Sequence, residues 1–178
     1  MKEKILRTTA KIISKNGLKA ASIRAVCEQA GVTAPTVYHY FDNRRGLLEA
    51  VTLLAFDKNA SNKKAFDQFD DPIKNMNALW DEYINFAISE PDLYSIVIAS
   101  IAQGVIPQCG KDCFNRTLKV FKLAEEKNLL KETANDAAFI YQGASQGVAT
   151  LILSKITLDF AHKISQKTKV MVLKGLLK

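Results

Sequence analysis

The stretch SIRAVCEQAGVTAPTVYHYFDNRR, residues 22–45, decides the fold. Ser22 is a good N-cap for a short helix over 23–30 that turns Ile23, Val26, Cys27 and Ala30 inward. Gly31 supplies the positive φ that ends this helix, and Thr33 caps the next one almost at once. Two short helices joined by the tight turn AGVT form a helix-turn-helix pattern. With Thr33 as cap, Pro35 falls at the second helical position, where its missing N–H has no intrahelical partner to lose.

Upstream, Ile5, Leu6, Thr9, Ile12 and Ile13 recur at helical spacing and predict a helix over 2–16. Gly17 is its natural stop, with Leu18 packing back. Three helices in fewer than fifty residues make a unit too small to be stable alone, so it should lean on the helices downstream. The fourth helix starts near Arg44 with Asp42 or Asn43 as cap and runs to about 60. The polar stretch SNKKAFDQFDDP, 61–72, reads as a connection. Helices are then expected over 73–89, from Pro91 to a break at GVIPQCG, and over 111–130 with Phe114, Leu118, Phe121 and Ala124 inward. Asn135 can cap a helix over 136–155, and a last one spans 158–177. The fold class is therefore all-α with about nine helices, divided into a domain at 1–46 and a helical domain at 47–178.

Composition agrees. Of 178 residues, 48% are apolar, enough for a sizeable core, and the formal charge is +7. No apolar run approaches the roughly 20 residues needed to cross a bilayer. The first residues lack an apolar signal core and a cleavage site, so a soluble, cytoplasmic protein is expected. Residues 1–50 hold nine Lys/Arg against four Asp/Glu, whereas the rest hold sixteen against fourteen. A basic first third on a balanced body suits a polyanionic partner, although a solvated lysine-rich surface explains the charge alone equally well. Cys109 and Cys113 lack zinc or redox-motif spacing, and His39 and His162 complete no ligand set. No metal, cofactor or catalytic constellation is expected.

The chemistry of 33–45 divides by face. Val37, Tyr40 and Phe41 share one side and should pack inward. Pro35, Thr36, Tyr38 and His39 remain for the outer side, with Ala34 at its edge and the cap Thr33 counted among the DNA contacts. This side carries hydroxyls and an imidazole but no acid. Thr36 and Tyr38 can donate to phosphates, Ala34 and Pro35 can touch thymine methyls, and His39 can reach a phosphate or a base edge. Arg44 and Arg45 in the first turn of a helix oppose its dipole, a cost that a bound phosphate reverses.

The run GLKAASIRAVCEQAGVTAPTVYHYFDNRRGLLEAV, 17–51, resembles the N-terminal domain of the TetR family of bacterial transcriptional regulators. The likeness lies in Gly-Val before the turn, Thr-Val-Tyr in the recognition helix, and Tyr-Phe followed by a basic residue three positions on. The resemblance implies that 33–39 is a recognition helix, with Ser22, Arg24, Thr36 and Tyr38 as phosphate or groove contacts. Arg44 stands where the family usually has lysine, and Pro35 where many members have glycine or alanine. It also implies a homodimer through the helices at 136–155 and 158–177. Ala137, Ala138, Ala144, Ser145, Gly147 and Ala149 would allow close approach, with Ile164, Val170, Val172, Leu173, Leu176 and Leu177 beside them.

The family's effector site maps onto Phe56, Trp80, Tyr83, Ile84, Tyr94, Ile98, Phe114, Phe121, Phe139 and Gln142, residues that plain core packing also explains. A small apolar or aromatic effector would suit them. The expected function is a ligand-responsive repressor on a near-palindromic double-stranded DNA operator. The rival is a basic helical adaptor for an acidic protein, which would be indifferent to Tyr38 and Thr36. An enzyme would need converging nucleophile, base or metal ligands, and the sequence offers none.

Overall fold

The computed structural model describes residues 1–61, 70–154 and 157–178. Among these residues there are nine α-helices and no strand: α1 (Lys2–Asn16), α2 (Ile23–Ala30), α3 (Ala34–Tyr40), α4 (Arg44–Ser61), α5 (Pro72–Ser89), α6 (Pro91–Ala102), α7 (Gln108–Glu126), α8 (Ala134–Leu153) and α9 (Leu158–Leu176). A 3-10 turn, Leu18–Ala20, separates α1 from α2. None of the described helices is long and apolar enough to cross a membrane. Most of the connection expected at 61–72, and Lys155 of the expected 136–155 helix, lie outside the described residues.

The chain forms two compact units, one of residues 1–58 and 92–109, the other of 59–91 and 110–178. These compact units do not share the expected boundary at 46–47. Most of α4 and nearly all of α6 belong with the helix-turn-helix, because a three-helix core needs further apolar surface to close over it.

In the first unit, Ile5, Leu6, Ala10 and Ile12 of α1 are buried. Ile13 is only half-buried, and Leu18, expected to pack back, is 49% exposed. Gly17 has φ 81° and ψ 166°, a positive-φ conformation that is not left-handed helical, so α1 ends in an abrupt change of direction. Ser22 accepts from the Ala25 amide at 3.1 Å and caps α2, and Gly31 ends it at φ 62°, ψ 45°. Val26 and Ala30 are buried, while Ile23 and Cys27 are half-buried rather than core. Asn43 caps α4 by accepting from the Gly46 amide at 3.0 Å. Leu47, Val51, Ala55 and Phe56 then follow the inner face of α4, and Leu93, Tyr94, Ile96 and Val97 that of α6.

The second unit packs α8 against both α5 and α9. Ala137, Ala138, Ser145 and Ala149 are buried within it, so these small residues serve close packing inside the chain rather than a partner interface. Leu173 and Leu176 are likewise buried, because they share the inner stripe of α9 with Ala161, Ser165 and Lys169. On α7 the buried stripe is Thr117, Val120, Phe121 and Ala124, which leaves Leu118 and Phe114 at its edges. Helix α7 begins at Gln108 and ends at Glu126, earlier at both ends than expected. Helix α8 is capped by Thr133, not Asn135: its hydroxyl accepts from the Asp136 amide at 3.2 Å and pairs with the Asp136 carboxylate at 2.8 Å. An isolated bridge pairs Leu130 with Leu177.

Candidate nucleic-acid interface

Helix α3 is held from beneath by few side chains. Val37 has no exposed surface and Phe41 only 5%. Phe41 lies just past the helix in extended conformation (φ −144°, ψ 121°), which swings its ring inward. Helical spacing puts Tyr40 in the core beside them, but it is 36% exposed. The helix stops at Tyr40, and the unwinding at Phe41 takes over the anchoring position. The Tyr40 ring instead stands edge-on to His39, with centroids 4.9 Å apart.

The outward placement holds for Pro35, Tyr38 and His39 and only in part for Thr36. Tyr38 is 50% exposed, Pro35 and His39 are exposed, and Ala34 and Thr36 are half-buried. Thr33 occupies the N-cap position but makes no cap bond, and its hydroxyl pairs with that of Thr36 at 2.9 Å. Each hydroxyl retains hydrogen-bonding capacity beyond that pair. Ser22 uses a lone pair for capping, so its O–H remains available to donate outward.

The cations around this face differ in what they hold. Arg24 and Arg45 are almost fully exposed, and each is paired along its own helix, Arg24 with Glu28 at 2.9 Å and Arg45 with Glu49 at 2.8 Å. Each carboxylate raises the guanidinium pKa by hydrogen bonding and charge. Such surface pairs are weak, so a phosphate can compete for the arginines. Arg44 is half-buried and turned inward, its Nε donating to the Ala21 carbonyl at 2.8 Å and its Nη2 to the Leu18 carbonyl at 2.7 Å. Two groups at this face escape the sequence reading, the exposed Tyr40 ring and Lys2, whose ammonium lies 5.8 Å from the centre of the Phe41 ring. The position of Phe41 at the helix end is the signal for both.

The expected effector residues are divided between the two units. Phe56, Tyr94 and Ile98 lie in the first unit; Trp80, Tyr83, Ile84, Phe114, Phe121, Phe139 and Gln142 lie in the second. Trp80, Tyr94 and Phe121 have no exposed surface, and Phe56 and Ile84 are nearly as closed. The rings of Trp80 and Phe121 meet that of Tyr141 edge-on at 5.3 and 5.2 Å. Phe139 is 58% exposed, its ring 4.7 Å from that of Phe114. Tyr83, Ile98, Phe114 and Gln142 keep partial exposure. A groove of about 1100 Å³ lies in the first unit along Leu48 and Thr52 of α4, Ile96 and Ala99 of α6, and Val105, and none of the ten lines it. Among the described residues, no three His, Cys, Asp or Glu side chains gather to hold a metal ion.

Residues 5–51 match the model of the bacterial regulatory proteins of the tetR family. The transcriptional regulator UidR of Escherichia coli is 28% identical over 74 residues, which is 42% of this chain and 35% of UidR, so the match spans about a third of that relative. Two solved structures share the fold over nearly the whole chain. A tetR-family protein from Shewanella has a TM-score of 0.79 at 15% identity, covering 99% of this chain and 98% of that one. AibR, solved with isovaleryl coenzyme A and operator DNA, has a TM-score of 0.78 at 17% identity, covering 96% of each chain. Residues 5–51 therefore carry a helix-turn-helix segment that matches the tetR family, in a chain whose helical fold is shared with solved tetR-family proteins.

Proposed function

We propose that the protein is a transcriptional regulator that binds a near-palindromic operator as a homodimer. The observation that carries this reading is the acid-free outer face of α3, with Pro35, Tyr38 and His39 exposed on a helix anchored by Val37 and Phe41. A short, rigidly held helix with hydroxyl and imidazole groups outward suits major-groove readout. Ser22, Arg24, Thr33, Ala34, Thr36 and Arg45 flank it as phosphate or groove contacts, and Lys2 and Tyr40 extend the same surface. Two copies of α3 would enter successive major grooves about 34 Å apart. The second copy is accommodated by the exposed apolar side chains of α8 and α9, among them Phe139, Ile140, Phe160 and Met171.

A small apolar or acyl effector, held in the helical part that bears Tyr83, Phe114 and Gln142, would shift the dimer to a conformer that releases DNA. AibR, a neighbour in fold, is solved in complex with isovaleryl coenzyme A and operator DNA, which supports a small-molecule site and a DNA site on one such fold. The test is a gel shift on a duplex selected by the protein from a random-sequence pool. Wild type should select a near-palindrome, and Tyr38→Phe should bind it about five- to tenfold more weakly, the loss of one hydrogen bond to an anion. A chain that selects no duplex, or a Tyr38→Phe variant with unchanged affinity, would rule the reading out.

A further inference from the structure

Arg44 opens α4 and reaches back across 23 and 26 residues of sequence to two backbone carbonyls. Its Nε donates to the Ala21 carbonyl at 2.8 Å and its Nη2 to the Leu18 carbonyl at 2.7 Å. These carbonyls stand at the start of the 3-10 turn and just after its end, and the Ser22 cap of α2 comes immediately afterwards. Within the turn the backbone bonds run between near neighbours, from the Ala20 amide to the Gly17 carbonyl at 3.1 Å, the Ala21 amide to the Leu18 carbonyl at 3.3 Å and the Ser22 amide to the Ala20 carbonyl at 2.8 Å. Leu18 has half its surface exposed. The two bonds from Arg44 tie the turn to α4. A planar guanidinium is suited to this place, because its N–H groups diverge in a fixed fork that can meet two acceptors at once. An ammonium is a single point with no such fork. Arg45, the next residue, has the opposite character, exposed and paired with Glu49 along its own helix.

We infer that Arg44 is a positioning residue, a clasp that fixes the start of α2, and through it α3, to the N-terminus of α4, rather than a cation that neutralises a phosphate. The inference rests on the DNA-binding reading above and assigns Arg44 a different part in it. The clasp makes the turn and the first turn of α4 move together, so a displacement of α4 is carried to the recognition helix through two charge-assisted hydrogen bonds.

The test compares Arg44→Lys and Arg44→Ala with wild type, using the full chain and the duplex that wild type selects from a random pool. In the free protein, amide exchange at residues 18–25 should quicken about tenfold or more in both variants, while α8 keeps its wild-type rates and so reports an intact fold. On DNA both variants should bind about tenfold more weakly, with an unchanged slope of log affinity against log salt. A phosphate contact predicts the reverse, a slope reduced by about one in Arg44→Ala and near-normal binding in Arg44→Lys. Either of those results, or unchanged exchange at 18–25, would overturn the clasp. Failure of the wild-type chain to select any duplex would instead overturn the DNA-binding reading, and the positioning role would fall with it.

Discussion

The indole N–H of Trp80 on α5 donates to the Ser165 hydroxyl on α9 at 2.9 Å, and neither residue has more than 1% of its surface exposed. The bond crosses 85 residues of sequence and joins two helices of the second unit. Replacing Ser165 with alanine leaves the indole donor buried without an acceptor, which costs about 1–3 kcal/mol. A urea melt should show a lower midpoint with the same slope. A Ser165→Ala protein as stable as wild type would mean that another acceptor or a water takes the donor.

The neighbouring ion pair is asymmetric. Lys169 donates to both carboxylate oxygens of Asp81 at 2.8 and 2.9 Å, with Gln166 adding a contact to one of them at 3.2 Å. The lysine side chain is 8% exposed and the aspartate 44%. Asp81→Ala therefore strands a nearly buried ammonium and should cost about 3 kcal/mol. Lys169→Met leaves a carboxylate that water can still reach and should cost less than about 1 kcal/mol. Denaturant unfolding of the two variants side by side checks the order, and equal losses would refute it.

Partial burial pushes the Glu82 carboxyl up from 4.5 to about 6. The folded state therefore holds this proton more tightly than the unfolded chain does. Its favourable contribution is complete below the unfolded value and is lost as pH rises through about 6. Because more than half the group remains solvated, the effect is screened to about 1 kcal/mol or less. Glu82→Gln should stabilise the protein at pH 7.5 relative to wild type, and that advantage should vanish near pH 4.5. A stability difference that does not change with pH would contradict the shift.

Local signals in the sequence are legible where side chains close their own helix ends. Ser22 and Asn43 cap as their positions suggest, and α1 and α2 run over the expected residues. The errors fall where a distant or competing group decides. Tyr40 has inward spacing, yet the chain leaves the helix at Phe41 and the second aromatic takes the anchoring place. At α8 the Thr133–Asp136 pair outcompetes Asn135, although the capping pattern is present in the sequence. The inward turn of Arg44 depends on carbonyls more than twenty residues away, which helical periodicity does not register. The effector residues are implied by the resemblance and equally explained by core packing; of these, Trp80 and Phe121 pack around Tyr141, whose hydroxyl donates to the Met76 carbonyl at 2.6 Å.

On α8 the residues Phe139, Ile140, Gly143, Gly147 and Leu151 are exposed at three- and four-residue spacing. A Cβ added at Gly143 or Gly147 would meet no atom within 4 Å, so the chain itself has no need of glycine there. Within one chain Gly147→Leu should be neutral or stabilising, since leucine is better in a helix than glycine by up to about 1 kcal/mol. If a second copy packs closely against this face, the same leucine intrudes between the helices, and the dimer should dissociate at least about tenfold more readily. Phe139→Arg should act in the same direction by placing a charge in an apolar interface. Sedimentation at micromolar concentration separates the two effects from any loss of fold, with circular dichroism as the control for helix content. Wild type sedimenting only as the 19.7 kDa species would remove the homodimer, and a Gly147→Leu protein that dimerises like wild type would move the interface off this face of α8.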